Sequence, residues 1–265
     1  MSRIVRIDDP DDPRIAPFRA VRERDLVGRE GRFIAEGEVV ARLLARAPGH
    51  RPLALLLAEQ RLEAQADLIA AFPEAVPVYA AAQPVMDAIV GFHIHRGILA
   101  LGERAPEPDP DALMAGLPGD AVVVAVCGVG NHDNMGGIFR NAAAFGADAV
   151  VLDAGCCDPL YRKAIRVSVG AALITPTARL GQGADVIGLL QRHGFAPLAL
   201  SPSGETALSA FRPSGRTAII LGAEGPGLAP ELMARARTIR IPMAAGFDSL
   251  NVAVTSGIVL HHLKA

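Results

Sequence analysis

Residues 121–148 read AVVVAVCGVGNHDNMGGIFRNAAAFGAD, and this stretch decides the fold class. Residues 121–127 form a continuous apolar run, rich in β-branched side chains, as expected of a strand buried on both faces of a parallel sheet. Gly128, Gly130, Asn131, Asp133 and Asn134 then supply turn formers. Residues 135–145 carry apolar side chains at helical spacing. Strand, turn and helix in this order begin a βαβ unit.

Working outward, the pattern repeats. Strands are expected at 149–152, 196–200, 217–221 and 238–241, and helices at 184–193 and 249–263. Residues 120–265 therefore read as an α/β domain with a mostly parallel sheet. Upstream, residues 104–120 read RAPEPDPDALMAGLPGD. The close prolines Pro106, Pro108 and Pro110 favour an extended linker, set at 104–119. Residues 1–103 alternate helix signals (13–27, 37–45 and a polar helix ending near 70) with strand signals (32–35, 52–57, 76–79 and 97–101). They read as a small α/β domain of their own.

Composition narrows the function classes. The chain has 265 residues, 51% of them hydrophobic, enough for a sizeable core. Its net charge of −2 excludes a global basic field but leaves room for a local patch that reads RNA shape. There is no Trp, and aromatics make up 4%, which disfavours a base-stacking platform for single strands. Cys127, Cys156 and Cys157 have neither zinc nor disulfide spacing, so no metal is expected and a reducing cytoplasmic compartment is. The first residues lack the apolar core of a signal peptide, and no apolar run approaches the ~18 residues of a membrane span.

Three segments leave strand ends, where ligands of α/β sheets bind. The first, 128–148, places Arg140 six residues after Asn134, under two turns from a helix start near Asn134. The second, LGAEGPGL at 221–228, surrounds Glu224 with glycines that permit close backbone approach to a ligand. The third, IPMAAGFDSLNVAVTSGIVLHHL at 241–263, offers Ser249 or Asp248 as a helix cap, with Asn251 in the first turn. The helix that follows is apolar nearly all round, as if buried by its own domain or by another subunit. Taken singly, these are also compatible with a capped helix bearing a surface Arg, an ordinary turn, and a core helix with a polar start.

Together, in this order and spacing, they resemble the signature motifs of the SpoU/TrmH-like family of RNA 2′-O-ribose methyltransferases, in the SPOUT superfamily. Asn134 to Arg140 followed by Phe145-Gly146 matches the first motif, LGAEGPGL the second, and IPM-x5-SLNVAV the third. DPLYRKAIRVSVGA at 158–171 is similar to the family's middle region. FIAEGEVVARLL at 33–44 is similar to the ribosomal-protein-like substrate-binding domain that often precedes the catalytic one. The resemblance implies a C-terminal trefoil-knot methyltransferase domain, a homodimer, S-adenosylmethionine as cofactor, and a ribose 2′-hydroxyl of structured RNA, tRNA or rRNA, as acceptor.

It also implies roles. Arg140 would hold the target phosphate and help activate the hydroxyl. It would not serve as a simple base, because guanidinium does not readily deprotonate. Asn134 and Asn251 would orient substrate or Arg140, Glu224 is the motif carboxylate, and Ser249 would contact substrate. Leu221, Gly222, Gly225, Ile241, Met243 and Leu250 would bind the cofactor. In the N-terminal part, Arg19, Arg22, Arg24, Arg29 and Arg32 are candidate RNA contacts, but Glu23, Asp25 and Glu30 in the same stretch fit a solvated mixed-charge face nearly as well. His95-Arg96-Gly97 departs from the His-Pro-Gln-Gly-like sequence of relatives. Two alternatives remain open: a catalytically silent RNA-binding protein on the same fold, and an NAD-dependent dehydrogenase. The latter is suggested by Gly128-x-Gly130 but lacks the third fingerprint glycine, since Asp133 stands there.

Overall fold

The computed structural model describes residues 4–19, 23–91, 97–245 and 247–264. Two units emerge: Met1–Pro106 with Pro159–Ile174, and Glu107–Asp158 with Thr175–Ala265.

The first unit is built on a five-stranded mixed sheet, in the order β1-β4-β3-β5-β2. In chain order its elements are β1 (Ile4–Ile7), α1 (Glu23–Gly28), β2 (Arg32–Glu36), α2 (Glu38–Leu44), β3 (Arg51–Ala58), α3 (Ala66–Ala71), β4 (Val78–Ala81), α4 (Gln83–Val90) and β5 (Ile98–Glu103). The single helix expected over 13–27 is replaced by a 3-10 turn, Pro13–Phe18, and the separate α1. Proline explains the break. Pro13 suits a helix start, with Asp12 accepting from the Arg14 amide, but Pro17 inside the turn lacks the amide that would continue it. The polar helix expected up to about residue 70 is likewise reduced to a 3-10 turn, Glu59–Arg61, and the short α3.

The second unit carries a seven-stranded, all-parallel sheet, in the order β10-β12-β9-β11-β6-β7-β8. The chain continues through α5 (Pro110–Ala115), β6 (Val122–Val126), α6 (His132–Ala144), β7 (Ala149–Leu152), α7 (Arg162–Val167), β8 (Thr177–Arg179), α8 (Val186–Arg192), β9 (Ala196–Leu200), β10 (Thr206–Ala207), β11 (Thr217–Leu221), α9 (Pro230–Met233), β12 (Arg237–Arg240) and α10 (Val252–Lys264). Every residue of β6 is buried, paired to β11 on one side and β7 on the other. This is the central strand that its uninterrupted valines demanded. On one face Val123, Ala125 and Ile220 pack with Leu189 and Leu190 of α8. The valine, isoleucine and leucine side chains among them each contribute roughly 1.5–3 kcal/mol by leaving water. The expectation of an α/β protein with a parallel C-terminal sheet is met.

The stretch expected to be an extended linker contains α5. Asp109 caps it by accepting from the Ala112 amide at 2.9 Å, and Pro110 occupies the first turn, where no amide partner is needed. Met114 on α5 is fully buried in the core of the second unit. The same proline that suggested extension is here a helix start. α10 is only partly enclosed: Ser256, Val259, Leu260 and Leu263 are buried, whereas Val254 is 52% and Ile258 39% exposed.

α7 lies in sequence between β7 and β8 but belongs to the first unit. Leu160, Ile165 and Leu173 join Phe33, Leu44 and Leu57 in one apolar cluster. Beside them Arg162 Nε meets the Glu36 carboxylate at 2.9 Å, with the Glu36 side chain 9% and the Arg162 side chain 20% exposed. Arg166 Nη1 is the next cation, 3.9 Å from the same carboxylate and half exposed, so without Arg162 this nearly buried carboxylate keeps only a distant partner, which is costly. Arg162→Met is expected to lower stability by about 3 kcal/mol, read from the urea midpoint of the first unit's unfolding.

Candidate functional site

β6, β9, β11 and β12 run parallel, so their carboxyl ends meet at one edge of the sheet. The loops after β6, β11 and β12 carry the three sequence motifs to that edge. Asn131 caps α6, its side-chain oxygen accepting from the Asp133 and Asn134 amides at 2.8 and 3.3 Å. The helix thus starts earlier than expected, and Asn134 is held in its first turn, 5% exposed.

The Asn134 carboxamide joins the other two motifs. Its nitrogen donates to Glu224, and its oxygen accepts from Asn251 Nδ2 at 2.8 Å. The Asn251 oxygen accepts in turn from the Ala253 and Val254 amides at 2.9 and 3.2 Å. Each orientation follows from the next. A carboxylate only accepts and a helix N-terminus only donates, so both amides between them can face one way only. The cap of α10 is therefore Asn251, not Ser249 or Asp248. Ser249 is exposed, and its hydroxyl lies 3.5 Å from the Asp248 carboxylate.

Glu224 stands at the tip of a pinched loop. The Gly227 amide donates to the Ala223 carbonyl at 3.1 Å, and a Cβ on Gly222 would lie 2.6 Å from the Gly227 carbonyl carbon. Gly225 adopts φ +84°, a conformation that side chains resist. The loop closes only because these positions lack side chains.

A cleft of about 400 Å³ opens between this loop and the segment after β12. Leu221, Gly222, Gly225, Ile241, Met243 and Leu250 all line it, as do Glu224, Ser249 and Asn251. Apolar walls with accessible backbone between them suit a flat heteroaromatic ligand. Leu200, Ser201 and Pro202, at the end of β9, also line the cleft and were missed by motif reading. Their only signal was their place at a strand end. Arg140 is exposed and lies outside the cleft lining, and none of the polar contacts above involves it. Six residues beyond Asn134 on a helix is ~9 Å along the axis and about 120° around it.

The other candidates are dispersed. Arg19 pairs with Asp11 and Arg32 with Glu30 in exposed ion pairs, as a mixed-charge face would. Arg22, the Arg24 side chain, His95 and Arg96 lie outside the described residues. Among the described residues, no group of three or more His, Cys, Asp and Glu could hold a metal, and no helix is long and apolar enough to cross a membrane. Burial pushes the thiols of Cys127 and Cys156 up to about 12, with the Asp153 carboxylate adding to both, and burial pushes Cys157 up to about 11. They are poor nucleophiles.

Two outcomes follow. Asn251→Ala removes the α10 cap and is expected to lower stability by about 1 kcal/mol in thermal unfolding, whereas Asn251→Ser keeps most of it. The folded chain also retains thiol protons that an unfolded chain releases above its ordinary value of 9.0. Stability is therefore intact below that pH and falls as pH rises toward 11 and 12, a decline that replacing all three cysteines with alanine should flatten in urea titrations at pH 8 and 10.

Comparison with known proteins agrees with this geometry. The SpoU rRNA Methylase family matches residues 121–261. An uncharacterized tRNA/rRNA methyltransferase of Mycobacterium bovis is 42% identical over 264 residues, spanning 96% of this chain and 89% of the relative. The solved structure of an RNA 2′-O ribose methyltransferase superposes with a TM-score of 0.75 at 25% identity, covering 97% of both chains. The AdoMet-bound rRNA methyltransferase of Sinorhizobium meliloti shares the fold with a TM-score of 0.82 at 23% identity, over 98% of this chain and 97% of that one. The chain belongs to the SpoU rRNA methylase family of RNA methyltransferases.

Proposed function

We propose that this chain transfers a methyl group from S-adenosylmethionine to the 2′-hydroxyl of a ribose in tRNA or rRNA. The observation that carries this reading is the Glu224–Asn134–Asn251 chain at the edge of an apolar cleft. Two relatives support the acceptor: one is described as acting on RNA ribose 2′-O, the other as a tRNA/rRNA methyltransferase. The cleft fits the cofactor. Leu221, Ile241, Met243 and Leu250 offer apolar faces for adenine, and the Gly222 and Gly225 backbone at the cleft can hydrogen-bond it.

S-adenosylmethionine supplies an activated methyl, so the protein's task is to position the acceptor oxygen in line and let its proton leave. Asn134 and Asn251, fixed by Glu224 and by the α10 amides, orient the acceptor. Ser249, exposed at the cleft, contacts the ribose or its phosphate. Arg140 binds phosphate and stabilises charge developing on the oxygen, while another acceptor takes the proton. A homodimer is part of the proposal. Val254 and Ile258, four residues apart on α10, present an apolar face that a second copy would cover, and Arg140 on the neighbouring helix α6 would lie near that junction.

The deciding experiment transfers labelled methyl from S-adenosylmethionine to total bacterial RNA lacking the modification. The wild type is expected to yield labelled 2′-O-methyl nucleoside, and Arg140→Ala to lose on the order of a hundredfold or more. Label on a base would overturn the ribose assignment, and RNA and cofactor binding without transfer would indicate a silent RNA binder. Light scattering should give twice the chain mass for wild type and a single chain mass for Val254→Asp.

A further inference from the structure

We propose that Asn141, which no motif reading singles out, is a positioning residue for the reaction: its side-chain amide clasps α10 to α6 and so holds Asn134 and Asn251 in register. The proposal rests on the methyltransferase reading above.

Asn141 follows Asn134 by seven residues, about two turns, and so lies on the same face of α6. Its Nδ2 donates to the Ala253 carbonyl at 2.6 Å and to Ser256 Oγ at 3.0 Å. Ser256 Oγ itself donates to the Ala253 carbonyl at 2.7 Å, and Ser256 is fully buried. One α10 carbonyl thus accepts from both helices.

Between this clasp and the Asn134–Asn251 bond, the helices nearly touch. A Cβ on Gly137 would lie 2.6 Å from the Ala253 Cβ, and at the clasp itself one on Gly257 would lie 3.1 Å from Asn141 Nδ2. Two polar links therefore flank a close approach of small residues. One link would leave the helices free to pivot or slide about it. Two, separated along the seam, remove that freedom. This matters because Asn251 sits where loop becomes helix and has no other link to α6 among the contacts described. Misplacing reacting groups by about 1 Å can cost a hundredfold in rate.

The test compares wild type with Asn141→Leu, which keeps the branched shape and heavy-atom count but removes the donor, and with Ser256→Ala, which removes one acceptor and leaves the Ala253 carbonyl in place. Single-turnover rate, cofactor Kd by calorimetry, KM for RNA and the side-chain amide resonances of Asn134 are read at a temperature where every variant is folded. The expected result for Asn141→Leu is a rate at least about tenfold lower, a cofactor Kd within threefold of wild type, and shifted, faster-exchanging Asn134 amide protons. Ser256→Ala should change the same quantities in the same direction by less, and it carries the test if Asn141→Leu does not fold. An unchanged rate alongside a lowered Tm would reduce Asn141 to helix packing and overturn the proposal. So would a loss of cofactor affinity in proportion to the rate, or Asn134 resonances identical to wild type. The resonances need no turnover, so absence of transfer by the wild type would overturn the reaction while the register is still judged from the spectra.

Discussion

The site depends on one buried carboxamide with two partners of opposite character. Asn134 gives its nitrogen to Glu224 and its oxygen to Asn251, so three segments far apart in the chain meet at one side chain. Asn134 is buried while Glu224 and Asn251 are exposed at the cleft, so a missing partner would leave a donor or acceptor of the buried carboxamide unpaired. Alanine at this position would disconnect two loops at once. The parallel sheet makes the meeting feasible, since strands running in one direction bring all their carboxyl ends to one edge.

Around that carboxamide, labour is divided. The cleft walls are apolar side chains and glycine backbone, suited to a flat ligand, and the polar groups cluster on the side where α6 and α10 begin. Arg140 stands apart from both. A cation set away from the carboxylate remains available to an anionic partner, whereas one paired to Glu224 would already be neutralised.

Much of this was legible in the residues. β7, β9 and β11 were readable to the residue: β7 is an apolar run between Asp148 and Asp153, β9 is an apolar run that stops at Ser201, and β11 runs apolar from Ala218 to the glycine after Leu221. Helix starts were less so. Asp248, Ser249 and Asn251 are all capable caps, and the choice of Asn251 is made by its bond to Asn134, which local pattern does not contain. α5 hid behind a proline read as a stretch of linker, and Pro17 broke a helix whose apolar spacing was otherwise sound. At the site, the motif segments were readable as unusual strand-end loops. The contribution of Leu200 to Pro202 was not, because nothing in their composition distinguishes them from any other strand end. The distance of Arg140 from the carboxamide follows from helix geometry once the helix is known to begin at His132.

The placement of Pro159–Ile174 has a consequence for how such a protein can be rearranged by recombination. A unit whose core is assembled from one continuous stretch can be exchanged like a cassette, with a single junction on each side. Here the first unit draws Leu160, Ile165 and Leu173 from a crossover of the second unit's sheet. A crossover event near residue 106 would therefore deliver an N-terminal segment whose core expects these side chains from a region inherited from the other parent. The two units are thus a single unit of inheritance, and substitutions in residues 33–57 are constrained by what the segment 159–174 supplies.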